Sequence, residues 1–365
     1  TVPEDFIETI AKTGIVDRAL AQNQFQESQT LKKTDGKKTK RILDIEKLED
    51  ARFAGTKKAS QCTLILTEGD SAKTTAVSGL SVVGRDYYGV FPLRGKLLNT
   101  REASFAQISK NEEILNIKKI LGLQTDTKTT KNLRYGKVLI MTDADYDGFH
   151  IKALLINFID AGWPDLLKDI FIGSIVTPIV KVSKGSERLE FYTHKEYINW
   201  KETDYAKGNW QIKYYKGLGT STAAEAREYF KNLKVLNYIN KTTEDSNALV
   251  LAFKKTEADE RKKWIKKNTE KFEGLDYNTK ESVPISQLIN RELVLFSISD
   301  NIRSIPSIVD GLKPGQRKVL FACFKKNLKN EIKVAQLAGY VSEQTAYHHG
   351  EHSLQETIIK MAQNF

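Results

Sequence analysis

Cysteine is nearly absent from this sequence, and long apolar runs are missing altogether. Cys62 and Cys323 are the two cysteines among 365 residues, which excludes a disulfide framework and a C-x-x-C zinc pair. No apolar stretch approaches the roughly 20 residues that cross a bilayer, and the N-terminus lacks the apolar core of a signal peptide. We therefore expect a soluble, intracellular protein in a reducing compartment.

Acidic residues are fewer than basic ones, and the resulting surplus of positive charge indicates a polyanionic partner. The chain carries 57 Lys and Arg against 46 Asp and Glu, a formal net charge of +11, with an isoelectric point near 9.2. Such a balance favours nucleic acid first and an anionic membrane surface second. The length and a hydrophobic fraction of 40% predict two or three globular domains.

Two stretches concentrate the basic residues. Residues 31–41 hold six Lys and Arg, one Asp and few apolar residues, which is typical of a flexible linker or surface loop. Residues 300–335 hold eight basic and three acidic residues interleaved with apolar ones, a local net charge of +5. We expect this second stretch on a folded element, as either a DNA-binding face or an ordinary solvated helix face.

Three aspartates at alternate positions are the clearest chemical signal. Asp143, Asp145 and Asp147 follow the strand-like run Lys137–Met141. On an extended chain, residues two apart project to one side, so three carboxylates would converge and raise one another's pKa. A hard cation such as Mg2+, held by carboxylate oxygens, relieves that repulsion. The spacing therefore predicts a divalent-metal site.

The aspartate cluster has two other possible interpretations. A calcium-binding EF-hand also opens with D-x-D-x-D-G, but it requires Glu at its twelfth position and a helix before the loop. This chain has Leu154 at that position and a predicted strand before the loop. A plain acidic turn is the second alternative, since acidic residues are common in turns.

Alternating strands and helices give the cluster a partner. Residues 62–67 predict a strand that leads into Glu68 and then a helix, and residues 87–91 and 137–141 predict two more strands. In a parallel sheet of this kind, functional groups gather at the carboxyl ends of strands, where Glu68 and Asp143 lie. Glu68 and the aspartate cluster together would form a minimal two-metal carboxylate site, which suits phosphoryl transfer. Beside a basic face, such a site suggests cutting or rejoining of a nucleic-acid backbone.

Six motifs, in order along the chain, resemble those of eukaryotic-type type IIA DNA topoisomerases. They are E-G-D-S-A at 68–72, P-L-R-G-K-L-L-N at 92–99, D-x-D-x-D-G at 143–148, Y-Y-K-G-L-G-T at 214–220, I-P-S-I-V-D-G-L-K-P-G-Q-R-K at 305–318 and Y-H-H-G-E at 347–351. The resemblance covers nearly the whole chain. It implies an α/β fold: a Rossmann-like TOPRIM domain with a parallel sheet, followed by a mostly helical winged-helix domain that is incomplete.

The same resemblance suggests four segments. Residues 1–58 would form an N-terminal helix and basic linker, and residues 59–235 the TOPRIM domain with its C-terminal extension. Residues 236–284 would form a charged helical connector. Residues 285–365 would be the N-terminal part of the winged-helix DNA-binding domain.

Residue roles also follow from the resemblance. Glu68 and Asp143 would hold a catalytic Mg2+, Asp143 and Asp145 a second Mg2+, and Asp147 would assist, with Mn2+ or Ca2+ as substitutes. His349 would lie near the cleavage site and help position or activate the nucleophile. The catalytic set would thus be Glu68, Asp143, Asp145 and His349. The residues at DNA-contacting positions are Lys96, Asn99, Lys216, Arg303, Lys313, Tyr347 and Ser353.

The chain departs from the family pattern in three parts that it lacks. The family's nucleophilic tyrosine, preceded by arginine, would fall beyond Phe365; Arg134-Tyr135 opens a strand, so we do not assign Tyr135 as the nucleophile. The ATP-binding domain and the later coiled-coil gate are also missing. We expect a fragment of a homodimeric, ATP-dependent nuclear enzyme that binds double-stranded DNA. By itself the fragment should be unable to cleave DNA.

Three alternative functions remain open from the sequence. The run H-x-x-E-H at 348–352 matches a zinc-protease pattern, but Gly350 disfavours the continuous helix that such a site needs. A non-catalytic DNA-binding or structural module would bind an ion only for folding. Another TOPRIM enzyme, such as a primase or an OLD-type nuclease, is the third; the K-P-G-Q-R-K run at 313–318 and Y-H-H-G at 347–350 argue against it.

Overall fold

A computed structural model describes residues 3–215, 217–269, 274–278, 281–347 and 350–364. The chain divides into two compact units, Thr1–Val294 and Leu295–Phe365, and each is described by itself. Within the described ranges, none of the helices combines the length and the apolarity that a membrane crossing needs.

The first unit contains nine strands and eleven α-helices among its described residues. In chain order they are α1 (Glu4–Lys12), α2 (Ile15–Lys33), β1 (Thr63–Glu68), α3 (Gly69–Val83), β2 (Tyr88–Leu93), α4 (Phe105–Lys110), α5 (Glu112–Leu121), β3 (Lys137–Met141), α6 (Tyr146–Gly162), β4 (Ile172–Ile175), β5 (Val180–Lys184), β6 (Glu187–Phe191), α7 (His194–Lys201), β7 (Gln211–Tyr214), α8 (Ala223–Lys231), β8 (Val235–Ile239), α9 (Thr243–Phe253), α10 (Ala258–Asn268), β9 (Ser282–Pro284) and α11 (Ile285–Leu288). A π-helical turn, Ile289–Leu293, follows α11.

The main sheet has six strands in the order β2-β1-β3-β4-β8-β9. Its first four strands are parallel, which confirms the predicted parallel sheet, whereas β8 runs antiparallel to β4. Thr63 to Thr67 of β1 are all buried, because helices cover both faces of a sheet of this type. The carboxyl ends of β1 and β3 therefore lie side by side.

Helix α3 packs against α8 and the sheet in the main apolar core. This core includes Ala76, Leu80 and Phe230. A Cβ added to Gly79 would lie 2.2 Å from Cδ2 of Phe230, so a glycine is needed where the two helices meet. This close packing fixes α3, and with it the turn that carries Glu68.

The structure differs from the expected connector at residues 236–284. This segment includes part of β8, the buried face of α9 and the edge strand β9, which pairs with β8. The sequence predicted a charged helical connector here, but Leu249 and Trp264 are buried. Their burial makes the segment part of the first unit rather than a spacer between domains.

The second unit is helical in its described part. It comprises most of α12 (Val294–Ser304), then α13 (Pro314–Lys325), α14 (Val334–Thr345) and α15 (Glu351–Met361). Helices α13, α14 and α15 share a core that includes Val319, Val341 and Leu354. The basic stretch 300–335 thus lies partly on folded helices, as expected, and Val319 and Ala322 point into this core. Its other large apolar residues are not all buried, since Ile308, Val309 and Phe324 are exposed.

A buried ion pair ties the helix after the aspartate cluster to the π-helical turn. Lys152 Nζ of α6 lies 2.7 Å from Glu292 Oε2, and the two side chains are 7% and 2% exposed. Burial disfavours the Lys152 ammonium, but Glu292 and the Tyr238 hydroxyl outweigh this effect and hold the pKa of Lys152 above its usual value. Tyr277 also donates to Glu292. The pair therefore holds α6 in place at a buried position beyond the aspartate cluster.

Replacement of Lys152 by methionine tests this anchor. Lys152→Met leaves Glu292 buried without its cation, so we expect the free energy of unfolding to fall by about 3–5 kcal/mol. The measurement is urea denaturation followed by circular dichroism. Lys168→Met, which removes an exposed pair with Asp165, should change stability by less than about 1 kcal/mol.

The double variant Lys152→Met/Glu292→Leu separates a lost charge pair from lost packing. It removes both charges together, so it should lose less than half as much stability as Lys152→Met alone. A double variant as unstable as the single one would show that shape, rather than charge pairing, holds α6 in place.

Candidate metal centre

Glu68 and Asp143 meet at the carboxyl edge of the parallel sheet. Glu68 is the last residue of β1, and Asp143 comes two residues after β3, the neighbouring strand. The backbone N–H of Asp143 donates to Glu68 Oε2 at 3.2 Å. Gly69, with φ of +74°, turns the chain at once from β1 into α3 in a conformation that favours glycine. The turn leaves the Glu68 side chain facing Asp143.

A second loop holds Asp143 from the other side. Asp143 Oδ1 accepts the backbone N–H of Leu218 at 2.7 Å, and Thr75 of α3 donates to the Leu218 carbonyl at 3.3 Å. A Cβ on Gly217 would lie 2.4 Å from Asp143 Oδ2, and one on Gly148 would lie 2.1 Å from the Asp143 carbonyl oxygen. These glycines let two backbones close on one carboxylate. The G-L-G motif is visible in the sequence, but its position at this site is not.

The other two aspartates lie on the start of α6 rather than on an extended chain. Asp145 is the N-cap and accepts the backbone N–H of Gly148 at 2.8 Å. Asp147 is in the first helical turn, and its Oδ1 lies 2.6 Å from Lys96 Nζ. The expected alternation along a strand is therefore wrong beyond Asp143, because helix capping takes over at Asp145.

Crowding of negative charge shifts the pKa values of two of these carboxyl groups. Burial first, and then the charges of Asp143, Asp145 and Asp147, raise the pKa of Glu68 to about 7. Burial and Asp145 also raise the pKa of Asp143, against the stabilising N–H of Leu218. The fold thus keeps half-buried carboxylates together although each disfavours ionisation of the others.

The four carboxylates are suitable ligands for a hard divalent cation, although their oxygens do not converge on a single position. Among the described residues, no three Asp, Glu, His or Cys side chains form a ready metal site. The reason is local: Asp145 caps α6 and Asp147 pairs with Lys96. All-oxygen donors with unneutralised charge are the ligands that Mg2+ prefers, so Glu68, Asp143, Asp145 and Asp147 are the residues that would hold it.

Two of the expected DNA-contacting residues, Lys96 and Asn99, belong to the first unit, and Lys96 lies at this edge of the sheet. Lys96 is the cation on Asp147, with 38% of its side chain exposed. Asn99 is half-buried: it donates to the Phe253 carbonyl at 2.8 Å, and its oxygen accepts the amide of Asn157 at 3.0 Å. Lys96 is therefore accessible to a ligand, whereas Asn99 already serves to hold its own loop.

Four more expected DNA-contacting residues lie in or beside the helices of the second unit. Arg303 pairs with Asp300 near the end of α12, and exposed Lys313 directly precedes α13. Tyr347 packs beside the core that α13, α14 and α15 share, and Ser353 is exposed on α15. Lys216 and His349 lie outside the described residues, as does His348 of the zinc-protease pattern.

Tyr135, which belongs to the Arg-Tyr pair noted in the sequence, is fully buried. Its hydroxyl donates to Asp50 at 2.5 Å and accepts the backbone N–H of Ala51. Burial and the Asp50 charge raise its pKa well above the usual value. A tyrosine held in this way cannot reach a phosphate as a nucleophile without local unfolding.

Comparison with known families identifies the class of this fold and site. The Toprim domain matches residues 63–177, and the C-terminal associated domain of Toprim matches residues 175–301. The A-subunit family of DNA gyrase and topoisomerase IV matches residues 303–365. The first unit is thus a Toprim domain with its associated domain, a class that uses divalent metal.

Similarity over the whole chain identifies the family. The chain is 54% identical over 375 residues to DNA topoisomerase 2 of Saccharomyces cerevisiae, which covers 100% of the chain and 26% of that protein. It is 54% identical over 380 residues to DNA topoisomerase 2-alpha of Homo sapiens, which covers 99% of the chain and 25% of that protein. The chain belongs to the eukaryotic type II DNA topoisomerase family and spans about a quarter of the length of these relatives.

A solved structure supports the same assignment. The crystal structure of the DNA-binding, cleavage and re-ligation domain of Plasmodium falciparum topoisomerase II matches with a TM-score of 0.78 and 52% identity. The match covers 90% of this chain and 45% of that one. The resemblance inferred from six sequence motifs is confirmed.

Gly217→Ala tests the close approach of the 217–218 loop to Asp143. The added methyl group would collide with the Asp143 carboxylate, so we expect Mn2+ or Mg2+ affinity, measured by isothermal titration calorimetry, to fall by about 10-fold or more. Gly219→Ala is the matched control, since its Cβ would lie an ordinary 3.9 Å from Ser71. Equal losses in the two variants would contradict a specific role for Gly217.

Glu68→Gln tests the charge crowding without metal. The pKa of Glu68 is raised from 4.5 to about 7 in the folded chain, so its contribution to stability is fully present below pH 4.5 and is lost as pH rises to 7. In EDTA at pH 8, Glu68→Gln should raise the melting temperature by about 2–4 °C. At pH 5 the gain should shrink. Exposed Glu202→Gln should leave both values unchanged, and a destabilised Glu68→Gln at pH 8 would refute the crowding.

Proposed function

We propose that this chain supplies the metal centre and part of the DNA-binding surface of an ATP-dependent type II DNA topoisomerase. Such an enzyme passes one duplex through a transient double-strand break in another. The observation that carries the proposal is the contact of Glu68 with Asp143 at the carboxyl edge of a Toprim sheet. The 54% identity to DNA topoisomerase 2 over the whole chain supports it.

The carboxylates would bind two Mg2+ ions, and Mn2+ or Ca2+ would substitute. Glu68 and Asp143 would share the first ion, and Asp143 and Asp145 the second, with Asp147 assisting directly or through water. When bound, the ions would stabilise negative charge on the attacking and leaving oxygens of the scissile phosphate. Release of Asp145 from its cap and of Asp147 from Lys96 would complete the donor set.

The DNA duplex would be held by residues from both units. Lys96, which places an ammonium beside Asp147, would receive a phosphate there as a compact charge. Asn99 would contact DNA only by adding to or exchanging its present bonds within the protein. The further proposed DNA contacts are Lys216, Arg303, Lys313, Tyr347 and Ser353, and His349 would position or help activate the nucleophile.

The remaining parts of the reaction would come from outside these residues. The nucleophilic tyrosine would follow Phe365, and ATP would bind a domain that precedes this segment. The active protein would be a homodimer, since two tyrosines are needed to cut both strands, and it would act in the nucleus. The segments 1–58, 59–235, 236–284 and 285–365 remain our proposal for its organisation.

Asp143→Asn in the full-length enzyme tests the metal role. The variant keeps the shape of Asp143 but removes its charge, so Mg2+-dependent cleavage of supercoiled DNA should fall by at least about 100-fold. Binding of DNA in EDTA should be retained. Exposed Asp169→Asn should cleave as the unaltered enzyme does.

The outcome also separates the proposal from its main competitor. If the segment were a non-catalytic DNA-binding module with a structural ion, Asp143→Asn would lower the melting temperature in Mg2+ but leave cleavage intact. That result would contradict the proposed function.

A further inference from the structure

A second concentration of positive charge lies away from the metal centre, in the stretch that the sequence predicted to be a flexible linker or a surface loop. Its backbone is held in place instead. Gly36 N–H donates to the Leu123 carbonyl at 2.8 Å, and Arg134 Nε donates to the Thr39 carbonyl at 2.7 Å. Asp35 accepts the Thr125 N–H at 3.0 Å and pairs with Lys118. The segment 34–39 is therefore bound along the loop that follows α5.

Two close backbone approaches explain why this segment has a defined path. A Cβ on Gly36 would lie 2.3 Å from the Lys118 carbonyl oxygen, and one on Gly55 would lie 2.0 Å from the Thr39 carbonyl oxygen. Packing this tight leaves the backbone no room to shift. Side chains that point outward from it consequently project from a backbone whose position relative to the sheet is fixed.

The outward side chains form a cationic surface that we call the amino-edge basic face. Lys38 Nζ donates to the Lys131 carbonyl at 2.7 Å, which joins the segment to the loop of residues 124–132. The face consists of six exposed residues: Lys37, Lys38, Lys40, Arg41, Lys128 and Lys131. None of the six forms an ion pair within the part of the chain that the structure describes.

Few acidic residues lie near the basic face, and most of them already bind other residues of the protein. Asp35 is engaged by Thr125 and Lys118, and Asp50 by Arg134 and Tyr135. Asp126 is the one acid in residues 124–132, and Asp165, which also interacts with Lys128, pairs with Lys168. The face therefore carries a surplus of charge that the protein itself does not neutralise, as expected for a polyanion contact.

The basic face and the metal centre lie at opposite edges of the same sheet. The loop 124–132 leads into the amino end of β3, whereas Asp143 follows its carboxyl end. Five strand residues separate the edges by about 16 Å. A phosphate on the basic face therefore cannot be the phosphate at the carboxylates.

We propose that the amino-edge basic face is a second duplex-DNA contact, which binds phosphates without sequence preference. It goes beyond the proposed function, because the metal centre does not use it. The two loops contain no aromatic residue, and single strands usually require aromatic stacking. They are instead rich in Thr, and the second loop also holds Gln124 and Asn132; side chains of these types donate to phosphate oxygens.

The test compares two variants of the full chain that lose the same charge. The first is Lys37→Ala/Lys38→Ala/Lys40→Ala/Arg41→Ala. The control is Lys195→Ala/Lys201→Ala/Lys266→Ala/Lys267→Ala, at exposed positions outside the face that form no ion pairs among the described residues. Binding of a fluorescein-labelled DNA duplex is measured by anisotropy between about 50 and 200 mM KCl. EDTA is present throughout, so the metal centre does not contribute.

The expected result is a change in salt dependence. Each lost phosphate contact reduces the slope of log Kd against log salt by about 0.9, so the first variant should lose roughly 3 to 4 from the slope and bind at least about 10-fold more weakly at low salt. The control should change the slope by less than about 1. Equal slopes in the two variants would overturn the proposal, because net charge alone would then explain binding.

A variant of the second loop and two other ligands test whether the loss of binding is specific to the basic face and to DNA. Lys128→Ala/Lys131→Ala, from the other loop, should reduce the slope by about 2, and it decides the matter if circular dichroism shows that the first variant is misfolded. Double-stranded RNA and anionic phosphatidylserine vesicles should bind more weakly than the DNA duplex. Preferential binding of either would overturn the DNA assignment; vesicles are included because Leu43, 89% exposed, follows the face.

Discussion

The site depends on keeping mutually repelling carboxylates together without a cation. Two backbone N–H groups do this: that of Asp143 donates to Glu68, and that of Leu218 donates to Asp143. Gly148 and Gly217 permit the close packing around Asp143, and Gly69 permits the left-handed turn that directs Glu68 toward it. The elevated pKa of Glu68 records the remaining repulsion. A cation that binds here gains from relief of this repulsion, which is why an acidic edge is useful on a basic protein.

The packing of helices α3 and α6 away from the site also helps to keep the repelling carboxylates together. Helix α6 begins at the aspartate cluster and carries Lys152 further along, where Glu292 binds it in the core. Helix α3 begins after Glu68 and is held by the contact of Gly79 with Phe230. The two carboxylates therefore lie at the starts of helices whose positions are determined by distant packing. Displacement of either helix would move one carboxylate relative to the other.

Opposite edges of the sheet carry opposite charge. The carboxyl edge holds the carboxylates of the candidate metal centre, with Lys96 beside Asp147, and the amino edge holds the six exposed cations of the basic face. Strand direction explains the separation, since all parallel strands end at the same edge. The distribution places the proposed metal site and the proposed second DNA contact at opposite edges of one sheet, about 16 Å apart. Charge totals taken over the whole chain, such as +11, conceal this arrangement.

Much of this protein could be predicted from its sequence because the signals are local. Apolar runs ending in Glu68 and Asp143 predicted parallel strands and their functional edge, and ordered motifs predicted the family. Tertiary structure alone decided three features. Asp145 and Asp147 became part of a helix start, Leu218 came to bind Asp143 from 75 residues away, and a charged linker became a fixed face through Gly36 and Arg134. Each depends on contacts between residues far apart in the chain. Local composition cannot predict which distant part of the backbone will contact a given residue.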